Sequence, residues 1–253
     1  SDLASVQTRA VKDGDDFVIN GQKIWTSNAQ KANWIHVLAR TDPDAPKHRG
    51  ISYFLVDMQT PGISIRPIVN MAGGAGFYET HFEDVRVPKE NLVGEENRGW
   101  YVATTTLDFE RSSINYPAEG RRTLDDLIGF LHEHPELGRG PGVQPGLADL
   151  MIEIEVDRWL AYRVAFMQAR GQVPNHEASI AKVFGTEMQQ RLANFAINLL
   201  GPYGGLQRDT RRTPLRGYLE FKYQWQVAGS IFAGTNEIQR NIIATRGLGL
   251  PRE

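Results

Sequence analysis

The chain has 253 residues, of which 41% are hydrophobic and 23% charged, and its formal net charge is −2. This length suits two modest domains, and the absence of cysteine excludes disulfides, Cys-ligated metal centres and thiol catalysis. The near-neutral charge gives no reason to expect nucleic-acid binding, and no apolar run is long enough to span a bilayer.

The first part of the chain, up to about residue 88, has the pattern of short β-strands. Asp13-Gly14 and Asn20-Gly21 are dipeptides typical of hairpin turns, and they flank the apolar segment 17–19. Further strands are predicted over residues 34–38, 51–57, 63–68 and 80–87. Because the opening at Ser1 is typical of mid-domain sequence, we expect a processed, trimmed or fragment boundary there.

From about residue 97 the apolar spacing becomes helical. The clearest helix face comprises Ile180, Phe184, Met188, Leu192, Phe195 and Leu199. Residues 147–169 are apolar over a wide arc, which predicts a helix covered on more than one side, and the Gly- and Pro-rich stretch 137–146 predicts an exposed connection. A last helix is predicted from an N-cap at Thr235 to a stop before Gly247.

A β-block followed by an α-block predicts the α+β class and argues against a doubly wound nucleotide fold. We expect a small antiparallel β-barrel or sandwich over residues 1–95, followed by an antiparallel four-helix bundle over residues 96–253.

Glu110 is the first candidate for chemistry. It shares one predicted helix face with Ala103, Leu107 and Ile114, and burial of a carboxylate on an apolar face raises its pKa, as suits a general base. The alternative is a structural ion pair with Arg111, Arg121 or Arg122. The spacing alone favours that ion pair.

Two other segments are candidates for binding. Gly234-Thr235 at a helix start would present backbone N–H groups to an anion or a polarised carbonyl, although the pattern alone favours an ordinary helix start. Trp25, with hydroxyls beside it at a strand end, would suit a flat aromatic cofactor, and a core or interface tryptophan is the alternative. By contrast, 73–76 is typical of a loop, and residues 132–134 of a solvated helix end.

In combination these segments resemble the acyl-CoA dehydrogenase family over essentially the whole chain. Residues 1–4 are similar to the tail of its EPGAGSD motif, 25–28 to W-[IT]-[TS]-N, 82–88 to F-x-[DE]-V-x-V-P, 200–205 to the LGGxG turn and 234–240 to G-T-[SN]-x-I-Q-R. The resemblance implies a flavin-binding β-domain and a helical domain. It also implies that the family's amino-terminal helical domain is absent from this sequence.

The resemblance implies FAD as cofactor and assigns residues to it. Trp25 would pack on the isoalloxazine ring, with Thr26 and Ser27 beside it and Ser27 near flavin N5. Phe232, Thr235 and Glu237 fall at FAD-contacting positions. The stretch Asn198 to Gly201, which includes Leu199, matches one that reaches the FAD of a neighbouring subunit.

The resemblance also assigns the reaction. Most members carry the catalytic glutamate immediately before the Gly-Thr pair, where this sequence has Ala233; some branches carry it in L-[DP]-x-E-R, which Leu107–Arg111 matches. This implies that Glu110 removes the α-proton of an acyl-CoA thioester while the β-hydrogen leaves as hydride, forming a trans-2 double bond. The Ala233 N–H would polarise the thioester carbonyl, and Ser1, Arg111 and Gly234 would contact substrate.

The expected setting follows from the same family: lipid degradation in the cytoplasm (the mitochondrial matrix in a eukaryote), a homo- or hetero-oligomer (dimer or tetramer), and electron-transfer flavoprotein or a similar acceptor. The family's R-x-x-F-G segment is not recognisable between Phe130 and Leu150. Alternatives are therefore a non-catalytic or partner-dependent subunit, and an acyl-CoA oxidase or flavin monooxygenase on the same fold.

Overall fold

The computed structural model describes residues 2–74, 76–110, 113–208 and 212–251, without the side chains of 108–110. It divides into two compact units, Ser1–Leu107 and Asp108–Glu253. The α+β architecture predicted from the sequence is confirmed, with a mostly antiparallel sheet followed by helices.

The first unit contains one six-stranded sheet in the order β4-β3-β1-β2-β6-β5. Its strands are β1 Arg9–Asp13, β2 Asp16–Ser27, β3 Trp34–Arg40, β4 Ile51–Asp57, β5 Ile63–Ile68 and β6 Phe77–Pro88. Every neighbouring pair is antiparallel except β1 and β3, which meet only at Arg9 and Arg40. All the strands predicted from the sequence are present; β1 was not predicted.

The prediction of a hairpin at Asn20-Gly21 is wrong, because both residues lie inside β2. Asp13-Gly14 does form a tight hairpin between β1 and β2. At Asn20 the partner strand carries an extra residue, Asp84, with φ +51°. The Asn20 amide fits this β-bulge by donating to the Asp84 carboxylate at 3.0 Å and accepting from its backbone N–H at 2.9 Å.

The core of the first unit lies on one face of the sheet. It is built from aromatic and β-branched side chains that alternate along the strands, as a half-buried sheet requires; its largest members are Phe17, Ile19, Phe54 and Phe82.

The helices are α1 Gly99–Glu110, α2 Asn115–Glu133, α3 Val143–Ala169, α4 His176–Leu200, α5 Tyr218–Trp225 and α6 Asn236–Ile242, followed by a π-turn over Ile243–Gly247. In the second unit α4 is the central helix and packs against α2, α3, α5 and α6. Its apolar contacts with α2 and α3 form a core that includes Leu124, Ile154, Met188 and Leu192.

Two details of the helices differ from the sequence prediction. The face expected to run from Ala103 to Ile114 is interrupted, because Ser113 has φ +57°, outside the helical region. Ile114 is therefore exposed rather than aligned with Glu110. Within this chain α3 is also covered on one face only, since Ile152, Trp159 and Phe166 are exposed.

Candidate functional site

Trp25 lies at a second β-bulge, on β2. Lys23 pairs with Thr80 and Thr26 with Tyr78, so β2 carries one residue more than β6 over this step. Trp25 has φ +64°, and its side chain is 58% exposed, with its ring edge-on to Phe77 at 6.0 Å between centroids. A bulge of this kind redirects a side chain out of the strand's alternation. The core alternative for Trp25 is thus wrong for this unit.

The residues on either side hold this bulge in the sheet. The Thr26 hydroxyl accepts a hydrogen bond from the Thr80 hydroxyl at 3.0 Å, and Ser27 is exposed at the end of β2. Before the bulge, the Lys23 ammonium donates to the Leu38 carbonyl on β3 at 2.7 Å. Burial lowers the pKa of Lys23 to about 8. The segment therefore presents an indole ring and a hydroxyl from the end of β2, an interior strand of the sheet.

In the second unit, the turn Phe232–Thr235 precedes α6. Ala233 and Gly234 both have left-handed backbone, with φ +54° and +81°, and Ala233 and Phe232 are exposed. Thr235 is the N-cap predicted from the sequence, and its hydroxyl accepts from the Ile238 N–H at 3.3 Å. The turn thus exposes backbone that the capping threonine fixes to the helix.

Beneath this turn lies a group of buried polar side chains that sequence reasoning missed. We call it the α4 polar cluster: Ser179, Lys182, Thr186, Asn236 and Gln239, each less than 7% exposed. The Lys182 ammonium donates to the Gly234 carbonyl at 2.9 Å and to Asn236 Oδ1 at 2.8 Å. The Ser179 hydroxyl donates to Gln239 Oε1 at 2.7 Å, and Gln239 Nε2 donates to the Ala233 carbonyl at 3.0 Å.

A sequence signal for this cluster existed. Ser179, Lys182, Thr186 and Gln189 recur at steps of three, four and three along α4, which is the spacing of a polar stripe on one helix face. All four are buried. A buried stripe of this composition must be satisfied by another segment, and the turn before α6 supplies the acceptors for Lys182.

Glu237 lies on the outer side of α6. Its pKa is held below the usual range, first by a hydrogen bond from its own backbone N–H and then by the Thr235 hydroxyl and the charge of Arg240. The Arg240 guanidinium itself donates to the Glu187 carboxylate at 2.6 Å. Glu237 therefore stays ionised and acts as an acceptor.

Asn198, Leu199 and Gly201 lie at the far end of α4. The Gly201 N–H donates to the Asn198 carbonyl, and Gly201 has φ +54° and ψ −136°, a conformation that only glycine adopts readily. At 1.5 Å per residue, Asn198 lies about 18 Å along the helix from Thr186. The structure therefore does not bring these three residues together with the turn before α6 in one chain.

The remaining candidates cannot be placed. Ser1 and Arg111 lie outside the described residues, as does the side chain of Glu110, although Glu110 closes α1. Of the arginines considered as partners for Glu110, Arg121 forms an ion pair with Asp125 at 2.9 Å.

A second buried ionisable group is Asp157 on α3. It is fully buried, and neither carboxylate oxygen has a hydrogen-bond donor among the described residues. Burial raises the pKa of Asp157 to about 7. Burial, followed by the charge of Asp157, raises the pKa of the Tyr116 phenol to about 12. Both pKa values are raised because the buried surroundings disfavour a negatively charged side chain.

Two features are absent from the described residues. No group of three or more His, Asp or Glu side chains is placed to bind a metal ion there. None of the helices in that part of the chain is long and apolar enough to cross a membrane.

Comparisons with known proteins were made for sequence and for structure. The model of the acyl-CoA dehydrogenase C-terminal domain matches residues 97–248, and that of the acyl-CoA dehydrogenase middle domain matches residues 1–85. All of the chain aligns at 38% identity with 34% of the acyl-CoA dehydrogenase FadE34, and at 37% with 64% of the acyl-CoA dehydrogenase IpdE1, both from Mycobacterium tuberculosis. The chain thus spans about a third and just under two thirds of these two relatives.

Solved structures share the architecture. The steroid ACAD Tcur3481-Tcur3483 superposes on the whole chain with a TM-score of 0.92 at 35% identity, and the chain covers 65% of it. The ChsE4-ChsE5 complex from Mycobacterium tuberculosis gives a TM-score of 0.89 at 37% identity, covering all of this chain and 66% of that one. An acyl-CoA dehydrogenase from Geobacillus kaustophilus gives 0.87 at 33%, covering 99% and 66%.

Proposed function

Because the chain belongs to the acyl-CoA dehydrogenase family, we propose that it is the flavin-binding and catalytic part of an FAD-dependent enzyme that oxidises acyl-CoA thioesters. The observation that carries the proposal is the turn before α6, where Ala233 replaces the usual carboxylate but keeps an exposed, left-handed backbone. Such a turn retains an amide donor for a thioester carbonyl while the proton acceptor lies elsewhere.

The residues present fit FAD. Trp25 offers an exposed indole to a flat ring system, and the hydroxyl of Ser27 is exposed beside it; stacking on such a ring is favourable. Thr235 and Glu237 add polar groups at the turn before α6. When bound, FAD supplies the acceptor for the hydride that leaves the substrate's β-carbon.

The chain's own residues carry the proton chemistry in this proposal. Glu110 takes the α-proton, and the electron pair of the broken α C–H bond forms the new carbon–carbon double bond as the β-hydrogen leaves as hydride. The Ala233 N–H donates to the thioester oxygen, on which negative charge develops during this step. The pairing of Ala233 with the Leu107–Arg111 pattern supports Glu110 as base, since one sequence carries both changes.

The test is an absorption spectrum of the purified chain followed by anaerobic addition of acyl-CoA. We expect an oxidised-flavin spectrum that bleaches on addition of substrate. Glu110→Gln should retain flavin and lose about 10²- to 10⁴-fold in the bleaching rate, the usual contribution of a general base, whereas Glu133→Gln at the exposed end of α2 should not. Unchanged bleaching in E110Q would eliminate Glu110 as base.

The acyl group is proposed from the structural likeness. A protein described as a steroid ACAD superposes on the whole chain, so a bulky ring-bearing thioester belongs in the substrate test beside a straight chain. We expect a steroid-acyl CoA thioester to bleach the flavin faster than octanoyl-CoA. Faster bleaching by octanoyl-CoA would contradict this choice of substrate without touching the reaction class.

A partner-dependent subunit is the second candidate function, and the exposed face of α3 favours it. Ile152, Val156, Trp159 and Phe166 recur at helical spacing, and all are exposed; an apolar patch of this kind marks an interaction surface. The distant FAD-assigned residues at the end of α4 fit the same reading, because they would serve a neighbouring subunit. We therefore propose a homo- or hetero-oligomer. From the family resemblance we also propose electron-transfer flavoprotein or a similar protein as the electron acceptor.

Oligomer size separates these readings. The double variant Trp159→Glu, Phe166→Glu should shift the chain to a smaller species in analytical ultracentrifugation with its helicity retained, and Val11→Glu, an exposed apolar residue of β1, should not. A colourless chain that gains flavin only with a second, different chain would favour the partner-dependent reading. An unchanged sedimentation profile would remove α3 as the interface.

A further inference from the structure

Lys182 is a buried cation whose ammonium group binds the turn before α6 and the first residue of that helix. It is 6% exposed, and its ammonium donates to the Gly234 carbonyl and to Asn236 Oδ1. Burial lowers the pKa of Lys182 to about 8, partly offset by Glu237 on α6 and Glu187 on α4. The group therefore keeps its charge at neutral pH and makes charge-assisted hydrogen bonds, which are the strong kind.

Two successive peptide carbonyls of the turn are fixed from the same buried side. The Gly234 carbonyl accepts from Lys182, and the Ala233 carbonyl accepts from Gln239. In a trans peptide the C=O and N–H point in opposite directions. The N–H groups of Gly234 and Thr235 are therefore directed away from the α4 polar cluster.

The same contacts hold Ala233 in a costly conformation. A left-handed backbone is disfavoured for a residue with a Cβ and persists where surrounding contacts over-determine it. Ala233 has φ +54°, and its carbonyl is held by Gln239, which Ser179 orients in turn. Without these contacts the turn would relax, and its amides would change direction.

We propose that Lys182 is a positioning residue of this reaction, holding the turn Phe232–Thr235 from beneath in the left-handed conformation that presents the Ala233 N–H to the thioester. This rests on the function proposed above for the turn. Lys182 itself contacts neither substrate nor cofactor in this assignment. It acts through the Gly234 carbonyl and the Asn236 side chain, and it fixes the donors before any substrate arrives, as electrostatic preorganisation requires.

The test compares Lys182→Met with Lys222→Met in the FAD-loaded chain. Lys222 is a matched control, because it is a second buried lysine of the same unit at 2% exposure, but its ammonium lies 3.0 Å from Glu119 rather than beneath the turn. The first readout needs no substrate. The amide ¹H–¹⁵N shifts of Gly234 and Thr235 should change in K182M and stay as wild type in K222M.

The second readout is steady-state kinetics per bound flavin, with whichever of octanoyl-CoA or a steroid-acyl CoA thioester bleaches the wild-type flavin. K182M should lose about tenfold or more in kcat, since small displacements of oriented groups are costly. Its KM should change less, as expected when an interaction is strongest in the transition state. K222M should keep its kcat.

The outcomes separate the two proposals. Unchanged amide shifts in K182M, or an unchanged kcat despite shifted amides, would overturn the positioning role. If neither thioester bleaches the wild-type flavin, the proposed function fails. The amide shifts then still decide whether Lys182 sets the turn.

Discussion

Asp157 allows a quantitative prediction about stability. Its pKa in the folded chain is raised from 3.8 to about 7 by burial, so between these values the folded state holds a proton that the unfolded state has released. Stability from this group is therefore fully present below about pH 4 and is lost as the pH rises towards 7. A shift of about three pKa units corresponds to a loss of roughly 4 kcal/mol.

The perturbation is Asp157→Asn, which keeps the shape of the side chain but removes its titration. Urea unfolding at pH 5 and at pH 8 would measure it. The stability of D157N relative to wild type should rise by roughly 2.5 kcal/mol between these pH values, because about 1.5 of the roughly 4 kcal/mol is already lost at pH 5. Tyr116, whose pKa responds to the charge of Asp157, is the same in both proteins.

Asp149→Asn is the control, because Asp149 is exposed on the same helix. It should give a stability difference that is independent of pH. The reasoning fails if D157N and wild type keep a constant difference across this range, since Asp157 would then titrate as an exposed carboxylate. It also fails if wild type gains stability on D157N as the pH rises, because the sign would be reversed.

Two further predictions concern the turn before α6. Thr235→Ala should cost about 1 kcal/mol of unfolding free energy through loss of the N-cap, measured by urea unfolding, and Thr245→Ala, whose hydroxyl only donates to the Asn241 carbonyl, should cost less; equal losses would deny the cap its role. Adding Ala233→Glu to Glu110→Gln should raise flavin bleaching at least about tenfold over the single variant, because a general base is restored. Bleaching that stays at the E110Q level would indicate that position 233 does not reach the α-proton.

The fold was largely predictable because its signals are local. Predicted strands such as 51–57 and 63–68 match the observed elements, since β-branched runs bounded by Gly, Pro or Asp depend little on distant residues. Asn20-Gly21 was predicted as a hairpin turn because Asn-Gly is favoured there. In this chain the same dipeptide lies within a strand, opposite a β-bulge of the neighbouring strand. Only the partner residue Asp84 decides between them, and pairing across the sheet is not a local property.

The candidate site was predictable only in part. The N-cap at Thr235 was predicted from the sequence, whereas the buried contacts of Lys182 join residues more than fifty positions apart. A lysine on a helix is usually solvated. The burial of the polar stripe on α4 could therefore not be predicted without knowing which segment packs against it. The interruption at Ser113 was also missed, because its left-handed backbone carries no composition signal.

The two bulges of β2 and β6 cancel each other. Asp16 pairs with Pro88 and Ser27 with Phe77 in one common register, while Gly21 to Lys23 lie one step out of it. The extra residue on β6 shifts the pairing register by one residue, and the extra residue on β2 shifts it back. Deleting either extra residue alone would remove its bulge and leave the pairs on both sides of it unchanged. Each bulge therefore lets one strand carry an additional residue, with Trp25 or Asp84 in left-handed backbone, without changing which residues pair on either side of it.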